Sequence, residues 1–168
     1  KDVIADLVDT YKAIPCAGIA ANQLGYSNKI FVGMKHDREE LVSQNPSTNI
    51  DEVAPQIDNC EIYINPQIDS VNKKSLQEGE EGCLSIPDLS LNITRFDKIK
   101  VRYYTEKGNV VKKSLAGFIS RLFQHELDHL KGNLMFENAI SDISLHSIKD
   151  ENTKLKLDKL IELLGISN

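Results

Sequence analysis

The chain has 168 residues, 40% hydrophobic and 27% charged, with a net charge of −5 at neutral pH; that is enough to bury one substantial core, so a single domain over residues 1–168 is expected. No long Lys/Arg run offers a footprint for nucleic acid, no apolar run approaches the roughly 20 residues that span a bilayer, and no charged-apolar-small leader opens the chain. Cys16, Cys60 and Cys83 are an odd number without the dense spacing of a secreted disulfide framework, which points to a reducing compartment.

Ile4, Leu7, Val8 and Tyr11 recur at helical spacing, predicting an amphipathic helix that begins almost at Lys1 and closes at Ala13-Ile14-Pro15. The N-terminus is short by this reading. In Gly18-Ile19-Ala20-Ala21-Asn22-Gln23 small residues let the backbone come close to a ligand, and a glutamine follows as a neutral amide donor. Short strands are expected over Lys29 to Gly33 and Glu61 to Asn65. The polar segment 35–59 between them, with Pro46 and Pro55, reads as an inserted loop in which His36 is solvated. Cys60 opens an apolar strand and reads as a packing residue.

Glu81-Gly82-Cys83-Leu84-Ser85 is too glycine-rich and acidic for an ordinary strand interior. Ile99 to Tyr104 and Val110 to Leu115 alternate apolar and polar residues around Glu106-Lys107-Gly108-Asn109, a hairpin turn. Leu115, Phe118, Ile119, Leu122 and Phe123 then lay an apolar stripe along the approach to His125. Leu157, Leu160, Ile161 and Leu164 before Gly165 predict a further long helix, packed on the body or on a partner. The fold class is α+β: antiparallel and mixed sheets packed around one central helix, with an additional C-terminal helix.

The most informative stretch is His125-Glu126-Leu127-Asp128-His129. Successive helical residues turn by about 100°, so the two imidazoles lie about 40° apart, one turn from each other, and can grip one cation. Glu126 falls on the same side, close enough to reach water at the cation and badly placed as a third ligand; its natural role is general base. The bland alternative is two histidines on a polar helix surface. A third ligand must come from elsewhere, and Cys83 is the candidate, because two imidazoles and a thiolate leave a fourth position open as catalytic sites require. On spacing alone Cys83 is equally a small buried thiol. Gln124 and Asp128 flank the histidines and either orient them or pack the helix. Arg121 stands where an apolar residue is expected and reads as a solvated rim charge, and His146 reads as a surface residue.

In order along the chain, Gly18 to Gln23, Glu81 to Ser85 and Gln124-His125-Glu126-Leu127-Asp128-His129-Leu130-Lys131-Gly132 closely resemble the three motifs of the peptide deformylase family. Ile64-Asn65-Pro66, Arg95 and Leu134-Met135-Phe136 extend the resemblance over nearly the whole chain. Departures are Cys16 for the family's first motif glycine, Asn22 for its usual proline, and Asp88 where glycine is common.

The resemblance implies a metal-dependent hydrolase that removes the N-formyl group from the N-terminal formylmethionine of new polypeptides and releases formate. It implies Cys83, His125 and His129 as metal ligands and Glu126 as the proton carrier. The Gln23 amide and the Leu84 backbone N–H are implied as donors to the developing oxyanion. Gly18 and Gly82 would pair with the peptide as an added strand, Phe118 and Leu122 would receive the methionine side chain, and Arg95 would meet the peptide beyond it. One divalent cation per chain is implied, Fe2+ in cells with Zn2+, Ni2+ or Co2+ as replacements. The implied partners are N-formylmethionyl peptides and nascent chains at the ribosome, with no nucleic acid or membrane bound directly. A monomer is expected rather than a homodimer, in bacterial-type cytoplasm or an organelle of bacterial descent. The competing readings are a His-Glu-x-x-His metalloprotease, which normally takes a further ligand downstream, and an inactive deformylase-like module that binds metal and serves as an interaction surface.

Overall fold

The structure, a computed structural model, describes residues 2–37 and 59–135. Most of the expected inserted loop, His146 and the expected C-terminal helix lie outside the described residues. Contacts divide the chain into two compact units, one of Lys1–Gln77 with Arg95–Asn133, the other of Glu78–Thr94 with Leu134–Asn168.

The first unit opens with helix α1, Val3–Ala13. Asp2 caps it by accepting from the Ile4 and Ala5 amides at 3.1 and 3.3 Å, which satisfies two of the donors a helix start leaves unpaired. Ile14 returns to extended backbone and Pro15 forbids a further turn. Leu7 and Tyr11, four residues apart, are fully buried, as the periodicity predicts.

Five strands form one sheet in the order β1 (Gly18–Ala20), β2 (Ile30–Met34), β3 (Cys60–Val71), β6 (Lys98–Tyr104) and β7 (Val110–Ala116). Every neighbouring pair is antiparallel, so the α+β expectation holds. In β6 the alternation is complete: Ile99, Val101 and Tyr103 face the core while Lys98, Lys100, Arg102 and Tyr104 do not. The β6–β7 hairpin turns where Gly108 takes φ +77°, with its amide donating to the Thr105 carbonyl at 2.9 Å. Strand β3 runs six residues beyond its expected end at Asn65. It passes Pro66 through a register shift between Ile64 and Gln67, where Asn65 adopts φ +49°; a bulge relieves the ladder of the amide that proline lacks.

Where segment 35–59 begins and ends, the Lys35 amide donates to the Asn59 carbonyl at 2.8 Å, and the Asn59 side chain exchanges hydrogen bonds with the His36 backbone. His36 is thus half-buried rather than solvated, because Asn59 clasps its backbone. Cys60 begins β3 and packs against the core, as expected of a packing residue.

The centre of the sheet is aromatic. Phe31 stacks on Tyr63 at 4.4 Å between ring centroids, and Phe123 meets both edge-on at 5.3 and 5.5 Å. Glu61 accepts hydrogen bonds from the Tyr103 and Tyr63 hydroxyls and from Lys113 Nζ at 2.5 Å. Burial first, and then the Glu61 carboxylate, push both phenols far up, so they remain donors.

Strands β4 (Leu76–Cys83) and β5 (Ile86–Phe96) make a separate two-stranded sheet. Glu81–Cys83, read from composition as no strand interior, therefore lies in a strand. Among the described residues each has one partner, so both strands are edges there, where Gly82 and Pro87 do not interrupt a central ladder. In the second unit Met135 is buried, with Cys83, Ile86 and Leu91 packed against it. Phe123→Ala should lower the unfolding free energy by about 3–5 kcal/mol, read from the urea midpoint, because it empties the space beside the stacked Phe31 and Tyr63 rings.

Candidate active site

Helix α2, Gly117–Leu130, carries the His-Glu pattern. Its N-cap, Ala116, has no side-chain acceptor for the first amides; Asp97, in the bend between β5 and β6, accepts from the Gly117 amide at 3.2 Å while Ser75 donates to its other oxygen at 3.0 Å. Ile119, Leu122 and Phe123 face the core. Phe118, expected on the same stripe, is 38% exposed; it is the second residue of α2, and it falls outside the arc that α2 buries.

One flank of α2 is held by polar groups. Gln124 Nε2 donates to the Phe96 carbonyl at 2.8 Å and to the Ser120 carbonyl at 3.0 Å, while its Oε1 accepts from the Phe96 amide at 3.2 Å. Ser120 Oγ donates to the same Phe96 carbonyl at 2.8 Å. Of the two roles open to Gln124, these bonds describe helix packing. Arg95 is buried with Nη1 2.5 Å from Asp128 Oδ2. Its guanidinium is therefore held at Asp128, the residue before His129. Arg121 is buried as well and donates to the Gln77 carbonyl at 3.1 Å, so it is no rim charge; a backbone acceptor is the partner that sequence could not reveal.

The other flank comes unusually close to the sheet. Gly18 and Gly33 are partners in the β1–β2 ladder, and Leu122 lies over both. A methyl group at Gly18 would stand 2.7 Å from Glu126 Oε1 and 2.9 Å from Leu122 Cδ1; at Gly33 it would stand 3.3 Å from Leu122 Cδ2. The absence of a side chain at Gly18 is thus what makes room for the Glu126 carboxylate, which is buried at 3% exposure.

His129 is 4% exposed and His125 half-buried. Their Nε2 atoms stand 3.2 Å apart, with the rings nearly perpendicular. Two tetrahedral ligands at about 2.0–2.1 Å from one cation are separated by about 3.3 Å, so the spacing fits a shared divalent ion.

The first motif approaches α2 through a 3-10 turn, Ala21–Leu24. Gln23 Oε1 accepts from the Ala20 amide at 2.9 Å, which fixes the orientation of its carboxamide. Asn22 Nδ2 donates to the His129 carbonyl, a contact that only the departure from the family's proline could have signalled. Burial first, and then the Glu126 charge, push the Cys16 thiol up to about 11, so Cys16 is a neutral thiol at pH 7. In the second unit Cys83 is half-buried, Gly82 is exposed, and Leu84 is 48% exposed.

Known proteins of one family resemble this chain in sequence and in fold. The Polypeptide deformylase family model matches residues 1–144. Peptide deformylase of Thermus thermophilus is 34% identical over 139 residues, 82% of this chain and 68% of that protein; that of Aquifex aeolicus is 38% identical over 132 residues, 79% and 68%. Among solved structures, peptide deformylase from Thermotoga maritima has a TM-score of 0.63 at 31% identity, covering 80% of this chain and 77% of that one. A Met-Ala-Ser-bound deformylase of Acinetobacter baumannii has a TM-score of 0.63 at 31% identity, covering 82% of each.

A chain with this sheet, this helix and these matches is a hydrolase of the α+β class. It belongs to the peptide deformylase family, and its activity is that family's metal-dependent removal of the N-formyl group from the formylmethionine that starts new polypeptides, with release of formate. The matches favour neither the protease reading nor the inactive module. Among the described residues no helix is long and apolar enough to cross a membrane.

Gly18→Ala should cost about 1–3 kcal/mol of stability, read from the urea midpoint, and should depress formate release by displacing Glu126. Gly33→Ala, whose tightest contact is the flexible end of Leu122, should be the milder of the two.

Proposed function

We propose that residues 1–168 work as one deformylase-like domain in which Cys83, His125 and His129 hold a single divalent cation, a donor set of one thiolate and two imidazoles. The family match, which runs unbroken through segments of both units, supports treating them as one functional domain. The observation that carries the reading is the pair of Nε2 atoms 3.2 Å apart beside a buried carboxylate on the same helix. Fe2+ is the metal proposed for the cell, with Zn2+, Ni2+ or Co2+ taking its place on purification, since this donor set suits them all. The cation, when bound, supplies Lewis acidity that draws the pKa of a water toward about 7.

Glu126 accepts the proton of the attacking water on one carboxylate oxygen and later delivers it to the departing amine. The water oxygen joins the formyl carbon, the carbon–nitrogen bond breaks, and formate and a free N-terminal amine result. While the formyl oxygen carries negative charge, Gln23 Nε2 and the Leu84 backbone N–H donate to it. The Ala20 amide on Gln23 Oε1 supports this role, because it fixes which end of the carboxamide serves as donor. Each donor of this kind contributes about 10²–10³ in rate where it has been removed.

N-formylmethionyl peptides and nascent chains at the ribosome are the proposed substrates. A Met-led tripeptide bound to the Acinetobacter baumannii relative supports the side-chain preference. Gly18 and Gly82 offer backbone for an added peptide strand. Leu122 supplies a buried apolar wall, and exposed Phe118 is free to close over a methionine side chain. Arg95 acts on the helix through Asp128. We place the protein as a monomer in bacterial-type cytoplasm or an organelle of bacterial descent.

The test is formate release from a formyl-Met tripeptide by protein loaded anaerobically with Fe2+. Glu126→Gln should lower the rate by at least about 100-fold while metal content stays at that of the unaltered protein. Equal rates for the two proteins would overturn the assignment of Glu126.

A further inference from the structure

We propose that Asn22 is a positioning residue which holds the Gln23 amide in register with the ligand-bearing helix; this rests on the reading above of Gln23 as oxyanion donor and His129 as metal ligand. The 3-10 turn that carries both residues is pinned at two points. Gln23 reaches back to the Ala20 amide at 2.9 Å, and Asn22 reaches across 107 residues of sequence to the His129 carbonyl. That carbonyl lies in the last turn of α2, where no residue four places on supplies an intrahelical donor. It accepts from the Gly132 amide at 2.8 Å as well, so both of its lone pairs are engaged.

Asn22 and Gln23 share one peptide bond, and their Cα atoms are about 3.8 Å apart. The turn is closed behind them by Gly25 at φ +82°, with the Gly25 amide on the Asn22 carbonyl at 3.1 Å and the Tyr26 amide on the Ala21 carbonyl at 3.0 Å. A shift at Asn22 therefore carries Gln23 with it. The amide that serves the oxygen and the imidazole that serves the cation are thereby coupled through a single side chain. Where the family usually has proline, the ring itself stiffens the backbone but offers no donor to the helix. In this chain the function of stiffening the turn has passed to a hydrogen bond. Asn22 is exposed, so the bond has the strength of an ordinary one and not of a buried one.

A double-mutant cycle on Fe2+-loaded full-length protein tests this, with formate release and amide hydrogen exchange as its two readouts. Asn22→Ala should lower kcat about fivefold with KM changed by less than about twofold, the loss expected from one ordinary hydrogen bond. In a Gln23→Ala background, itself down about 100-fold, the same change should cost no more than about 1.5-fold, because the residue through which Asn22 acts is gone. Exchange at the Gly132 amide should quicken in Asn22→Ala as the helix end loosens. An equal loss in both backgrounds, or unchanged exchange at Gly132, overturns the proposal while leaving Gln23 in its role. Full activity of Gln23→Ala alone overturns the oxyanion reading and the proposal together.

Discussion

Two imidazole nitrogens 3.2 Å apart on successive turns of one helix form the constraint around which the first unit is organised. Like charges cannot occupy that spacing, and two neutral rings satisfy each other only as a single donor–acceptor pair. A shared cation uses both lone pairs at once, and it needs the rings held still. Rotamer freedom would otherwise spread the ligand positions over more than the few tenths of an ångström that metal coordination tolerates.

The fold supplies that stillness by different means on the two flanks of α2. One flank uses directional polar contacts: Gln124 and Ser120 on the Phe96 backbone, and the buried Arg95–Asp128 pair beside His129. A buried ion pair of this kind is a weak source of net stability, since desolvation offsets much of the attraction, yet removing one partner leaves a costly lone charge. It fixes where the helix sits more than how firmly the chain folds. The other flank uses close approach. Gly18 and Gly33 let the helix lie so near the β1–β2 ladder that Leu122 and Glu126 fill the space where side chains would stand. The carboxylate is thereby taken from water on the same helix that carries His125 and His129.

The sequence revealed a good deal of this, for reasons that differ by element. Helix α1, the β6–β7 hairpin and the turn at Gly108 were legible because local periodicity and turn chemistry determine them. His125, Glu126 and His129 were legible because helical geometry brings near neighbours in sequence together. Strands β4 and β5 were not foreseen, since an acidic, glycine-bearing segment looks like a loop until its edge partner is known. The extension of β3 past Pro66 was hidden by the proline, which the bulge accommodates. Arg121 reads as a rim charge in the sequence because arginine is ordinarily a surface residue, and only its three-dimensional partner, the Gln77 carbonyl, accounts for its burial. Asn22 was visible as a departure from the family pattern, but its acceptor is 107 residues away.

The central claim is that one cation is held by the sulfur of Cys83 and the two ring nitrogens of His125 and His129. X-ray absorption at the zinc edge of protein loaded with one equivalent of Zn2+ tests it directly. A single sulfur neighbour at about 2.3 Å is expected, with nitrogen and oxygen neighbours at about 2.0–2.1 Å, and the sulfur shell should be lost in Cys83→Ser. A first shell of nitrogen and oxygen alone in the unaltered protein, or a sulfur shell that survives in Cys83→Ser, would contradict it.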